Sequence, residues 1–408
     1  MSDGQGKDSN LENIITYVER YQDKDFAAMP FNEVDALVLS QFIYMKLDGL
    51  VPHHEDRNLI EPLRLCHMAA LMDEKKVFID QRYEKDNRAL LAAMLSSIRF
   101  SNMQMHYYSN IVSVIAETQF SAITVFLENG PVVVVFRGTD ESLVGWKEDF
   151  NMCFSKPVIG QELSARYLEQ VGREISGNFI ITGHSKGGNF AVYASMNVDE
   201  AIQGRISRVY SFDGPGFRPE ILASVDFEKI KGRVVKFLPH SCVVGMLLQS
   251  QEPYRVVECA SVSFMQHNPY NWQIEENHFK EMEDVAEGSK IFNETINQWL
   301  LSLNEEELHG FADIWYEIAK TAKIKDLLEV FAEPKKTMHA LWEAARKLDG
   351  EKKEMAKRLM ISLLQLSREN IRNAKRQEKE QQNEGISEEG KKSVRETVKL
   401  PFLKKKEK

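Results

Sequence analysis

The spacing of apolar residues along the chain changes twice, and each change marks a different kind of structure. From about residue 11 to 118 apolar residues recur at helical intervals; between Asn32 and Met45, for instance, Val34, Val38, Phe42 and Met45 fall on one face. From about residue 120 to 272 the pattern becomes short β-branched runs separated by turn residues. Runs at 120–127 and 132–136 flank Glu128-Asn129-Gly130, and Asn-Gly is the strongest short signal for a hairpin. Further runs at 179–182, 209–212 and 234–238 alternate with helical stretches that include 160–176 and 189–197. Strands alternating with helices predict a mostly parallel sheet covered on both faces, opened by an antiparallel hairpin. Beyond residue 275 the periodicity is helical again, at 291–303, 308–321 and 341–372, among increasing numbers of charges.

The organisation expected from this pattern is a helical N-terminal region over 1–118 packed on a core over 119–275. A C-terminal helical region over 276–372 and a charged tail over 373–408 follow. The tail is rich in Lys, Glu and Gln with almost no apolar content, so disorder is expected there. It ends in Lys404-Lys405-Lys406-Glu407-Lys408, which could touch an acidic membrane surface weakly but reads first as a solvated end.

Composition narrows the function classes. A net charge of −9 over 408 residues argues against nucleic acid as a partner, since a binding face needs excess Lys and Arg. Residues 1–10 are polar, without the apolar stretch of a signal peptide, and no run approaches the roughly 18–20 apolar residues of a transmembrane segment. Cys66, Cys153, Cys242 and Cys259 are widely spaced with no CxxC pair, which suggests reduced thiols. The expected location is the cytoplasm. Nothing in the sequence sets an oligomeric state.

The chemistry is concentrated after the run at 179–182. There an apolar strand enters Gly183-His184-Ser185-Lys186-Gly187, and Gly188 and Ala191 open a helix. Gly-x-Ser-x-Gly between strand and helix is the setting of a nucleophile elbow, where the residues two before and two after the serine must be small. Ser185 is therefore the candidate nucleophile, at a helix N-terminus that favours developing negative charge. The alternative is a glycine-rich turn without chemistry. Two backbone donors are needed for an oxyanion: the Lys186 amide, and the Thr139 amide after the strand Val132-Val133-Val134-Val135-Phe136 and Arg137-Gly138. Gly138 would let substrate approach the backbone. The Lys186 side chain could add charge nearby or face solvent.

In this fold the order is serine, acid, histidine, so the base lies among His240, His267, His278, His309 and His339. His309 and His339 lie on amphipathic helices, His278 sits in a charged stretch, and His240 follows a strand directly, where an acid is usual. His267 lies in a loop beyond the last strand-like segment and is preferred. The stretch Pro239-His240-Ser241-Cys242 contains no carboxylate, which points to Asp213 as the acid; the alternative is that Asp213 caps the Asp213-Gly214 turn. Met246, Leu247, Leu248 and Phe264 could line an acyl pocket or belong to ordinary core. No cofactor or metal is expected. His53-His54-Glu55 resembles a ligand cluster but reads as a solvated loop.

These segments carry a family resemblance. Phe136-Arg137-Gly138-Thr139, the stretch from Trp146 to Asp149, and Thr182 through Gly188 resemble the class 3 (fungal-type) lipases. The segments 31–51, 136–152, 183–191 and 266–272 resemble more closely a bacterial, mainly firmicute, lipase-like family of unassigned function. The resemblance implies an α/β-hydrolase fold with a mostly parallel central sheet, a helical N-terminal segment and a helical C-terminal extension. It also implies a Ser185–Asp213–His267 triad with Thr139 and Lys186 as oxyanion donors, acting on a small-molecule carboxylic ester such as an intracellular acyl ester or lysophospholipid. Two departures from class 3 lipases stand out: Lys186 replaces the usual apolar residue beside the serine, and the acid expected one strand later is missing. The rival readings are a catalytically silent hydrolase fold that binds a partner, and an amidase using the same residues.

Overall fold

Val132–Val135 is apolar on both sides, as a strand with a core on each face must be. In the computed structural model, which describes residues 12–383 other than 80, 141, 153–156, 224–226 and 325–333, Val133 and Val135 enter one hydrophobic core. Val134 and Phe136 enter the other. This strand, β4 (Val132–Phe136), is where a nine-stranded sheet changes character.

On one side of β4 the sheet is antiparallel: β1 (Leu63–Arg64), β2 (Gln104–Ser113) and β3 (Thr118–Phe126). On the other it is parallel: β5 (Phe179–His184), β6 (Ile206–Phe212), β7 (Val234–Pro239) and β8 (Tyr254–Val257). A short hairpin of β9 (Ile274–Glu275) and β10 (His278–Phe279) stands apart, and β11 (Glu281–Met282) closes the far edge antiparallel to β8. The sheet is thus mixed, with antiparallel strands at both edges rather than one opening hairpin. Strand β2 lies in the region expected to be helical. Its alternation is broken by a bulge between His106 and Ser109, where Tyr107 takes φ 54°, so no clean two-residue period is visible in the sequence.

Strands β4 to β8 follow one another in chain order, and right-handed crossovers then place their connecting helices on one face. Tyr167, Leu168 and Val171 of helix Ile159–Glu174, and Phe190 of helix Lys186–Asn197, cover that face with Val134, Phe136 and Ile181. The N-terminal helices supply the opposite face. Ile14, Val34, Leu37, Val38 and Phe42 pack with Val133, Val135, Tyr210 and Phe237. Helix Glu33–Phe42 starts where the Asn32 side chain accepts from the amides of Val34 and Asp35 at 2.8 and 3.2 Å.

The C-terminal helices Glu287–Ser302, Glu305–Thr321 and Gly350–Asn383 build a smaller core around Trp299, Leu308 and Leu359, and Leu341 of helix Pro334–Ala345 packs with Ala319 and Ile324 beside it. That core reaches helix Leu143–Asn151 through Phe150, whose ring lies 5.7 Å from Phe311. Helix Gly350–Asn383 runs past residue 373, so the first part of the expected disordered tail is helical; residues 384–408, with the basic end, lie outside the described residues. No described helix is long and apolar enough to cross a membrane.

Candidate active site

Strand β5 ends in a turn with no slack. Ser185 takes φ 58° and ψ −130°, a left-handed conformation costly for a residue with a Cβ, and helix Lys186–Asn197 begins at the next residue. A Cβ on Gly183 would run into the Gly187 backbone, and one on Gly187 into the Phe136 carbonyl, so both glycines are fixed by space. The Ser185 amide donates to the Phe212 carbonyl at 2.8 Å, which pins the turn to β6.

The structure brings Ser185, His267 and Asp213 together. His267 Nδ1 lies 2.6 Å from Asp213 Oδ2, and its Nε2 lies 3.0 Å from Ser185 Oγ. A carboxylate can only accept, so Nδ1 carries the proton and Nε2 is left to accept from the serine hydroxyl. Asp213 also sits in a left-handed turn, φ 48°, immediately after β6. Its other oxygen accepts from the Gly245 amide at 2.9 Å and the Cys242 thiol at 3.1 Å. Burial works to raise the Asp213 pKa, but the hydrogen bond and charge of His267, with Cys242, outweigh it and hold the carboxyl below its usual range. The turn-capping alternative thus gives way to a fully partnered carboxylate.

Lys186 does not face solvent. Its side chain is buried, and Nζ donates to Glu148 Oε2 at 2.9 Å and to the Gln119 carbonyl and side-chain oxygen at 3.0 Å. Glu148 accepts in turn from Thr118, the Gln119 amide and the Gly160 amide. Lys186 Nζ also lies 4.0 Å from Asp149 Oδ1. Asp149, on the same helix as Glu148, accepts from the Thr139 hydroxyl at 2.6 Å. Burial raises its pKa to about 6 despite the Lys186 charge. The Thr139 amide lies in the loop three residues past β4 and the Lys186 amide at the start of the helix; as the first helical residue, Lys186 has no intrahelical acceptor for its N–H.

Gly138 faces protein rather than open space: a Cβ there would meet the Tyr44 hydroxyl and the His184 carbonyl. These two residues went unread in the sequence. His184 Nε2 lies 3.0 Å from the His267 carbonyl, which can only accept, so Nδ1 accepts from the Tyr44 hydroxyl at 3.1 Å. Burial, with the neighbouring His267, lowers the His184 pKa to about 3, so its ring is neutral. The only signal for it was its place beside the serine.

The other candidates lie elsewhere. His240 donates through Nδ1 to the Asp284 carbonyl at 3.1 Å, His278 pairs with Glu275 at 3.9 Å, and His309 and His339 are exposed. Met246 packs with Leu238, Cys242, Val256 and Val285, and neither it nor Leu247 or Leu248 borders the cavity over Ser185; the Phe264 side chain lies outside the described residues. His53, His54 and Glu55 each bring one ligand atom within 4.8 Å of the others on a short helical turn.

Compared with known proteins, the chain matches the family model described as Mbeg1-like over residues 94–317, more than half its length. No curated protein matches it in sequence. Among solved structures it is similar to the Rhizomucor miehei lipase in a propeptide complex, at 15% identity over 45% of this chain and 70% of that one, with a TM-score of 0.33. It is also similar to a mutant form of MDLA from Penicillium cyclopium, at 14% identity over 60% of this chain and 83% of that one, with a TM-score of 0.34.

Proposed function

The chain belongs to the Mbeg1-like family, and from the geometry around Ser185 we propose that it is a serine hydrolase of the α/β-hydrolase fold that cleaves carboxylic esters. The observation that carries the reading is the single imidazole of His267 bridging Ser185 Oγ at 3.0 Å and Asp213 at 2.6 Å. His267 Nε2 takes the Ser185 proton as Oγ attacks the ester carbonyl. Asp213 keeps Nδ1 protonated and stabilises the imidazolium that forms. The Lys186 and Thr139 amides receive the oxyanion, the alcohol leaves with the proton from His267, and water then releases the acyl group by the same steps. The buried Lys186–Glu148 pair keeps the start of the helix, and with it the Lys186 amide, in place.

A fluorophosphonate probe tests this directly. Wild type is expected to be labelled at Ser185, with labelling lost in Ser185→Ala and reduced by roughly three to four orders of magnitude in rate in His267→Ala. Folded wild type that takes no label overturns the proposal.

A further inference from the structure

The cavity over Ser185 is lined unlike a groove for a fatty chain. It holds about 60 Å3, room for about four waters at roughly 15 Å3 each. Among the described residues no aliphatic side chain borders it, and its apolar surface comes from the rings of Tyr44, Tyr83 and Trp146. Its charges are one-sided: Lys46, Arg82 and Arg137 against Asp140, which is itself paired with Arg137 at 3.2 Å. Two buried donors of residues that border it, Arg137 Nε and Trp146 Nε1, have no hydrogen-bond partner among the described residues, but they are closed off from the cavity itself. The Arg82 guanidinium lies 5.9 Å from the ring centres of both Tyr83 and Trp146, which hold it beside the cavity.

An alkyl chain placed here would lie against charged walls. A ligand rich in acceptor oxygens and carrying negative charge answers that excess of positive side chains. We propose that this site takes a small ester bearing a carboxylate or phosphate close to the scissile bond, with Arg82 recognising the anionic group. The proposal rests on the Ser185 hydrolase reading and adds the substrate class to it.

The test separates the two. Binding is measured by calorimetry on Ser185→Ala, so that turnover plays no part. Monophenyl succinate is compared with phenyl butyrate for a carboxylate, and 1-butyrylglycerol 3-phosphate with 1-butyrylglycerol for a phosphate. At least one anionic member is expected to bind about tenfold or more tightly than its neutral partner. That margin should shrink as salt rises from about 0.05 to about 0.5 M. Arg82→Gln in the same background should remove most of it, and Arg82→Lys should keep part. The arm that shows the margin identifies the anionic group. Equal binding within both pairs, tighter binding of the neutral members, or a margin that Arg82→Gln leaves intact overturns the proposal. Failure of the hydrolase reading shows separately, as wild type that binds the anionic ester with this margin yet takes no fluorophosphonate label.

Discussion

His184 is a neutral imidazole walled in beside Ser185, and its protonation is linked to folding. In the unfolded chain it takes a proton near its ordinary pKa of about 6.5, whereas burial keeps the folded ring neutral down to about 3. Its folded pKa is lowered, so the stability this brings is whole above about 6.5 and is lost as the pH falls from there toward 3, at up to about 1.4 kcal/mol per pH unit. Denaturant unfolding at pH 7 and pH 5 should show His184→Asn losing about 2 kcal/mol less over that interval than wild type. An identical loss in both proteins would mean that the ring is not held neutral. The same imidazole ties the Tyr44 hydroxyl to the backbone of His267, so it fixes where the His267 ring stands without touching the serine hydroxyl itself.

Helix Leu143–Asn151 carries two acids with separate tasks. Glu148 neutralises Lys186, and Asp149 holds the Thr139 hydroxyl at the end of β4. Asp149→Asn keeps the shape but weakens that hydrogen bond, so kcat for an ester should fall by about ten- to a hundredfold with KM little changed, because the loop matters most as the oxyanion forms. A rise in KM at constant kcat would place Asp149 in ground-state binding instead. These roles also show how far the sequence could be read. Ser185 was legible because the elbow has steric demands that only small neighbours meet, and β3 and β4 because Asn129-Gly130 punctuates two apolar runs. His267 and Asp213 followed from chain order and from the absence of a carboxylate after β7. Lys186 was not legible: a lysine one residue into a helix looks solvated, and its partner Glu148 is 38 residues away in sequence, on a helix whose approach only the folded sheet determines. Strand β2 was hidden for a local reason, the left-handed residue Tyr107 that interrupts its alternation.

At the scale of the whole molecule, the C-terminal helices brace the helix whose Asp149 holds the Thr139 loop. Phe150 and Phe311 meet edge to face, and Lys147 bridges Glu117 at 2.6 Å and Asp313 at 2.8 Å. A chain ending at residue 286 should melt at least about 10 °C lower and take fluorophosphonate more slowly, with Ser185, His267 and Asp213 all still present. Unchanged melting and labelling would show that the brace is idle. The N-terminal helices are bound to the sheet in another way, because they form one of its two cores rather than an attachment to it. The apolar face of helix Glu33–Phe42 packs against strands as late as β10, which ends at Phe279. On the ribosome that face is made roughly 240 residues before its last partner is complete, a wait of about 12 to 48 s at ordinary synthesis rates. The core under the N-terminal helices is therefore completed only after most of the chain has been made.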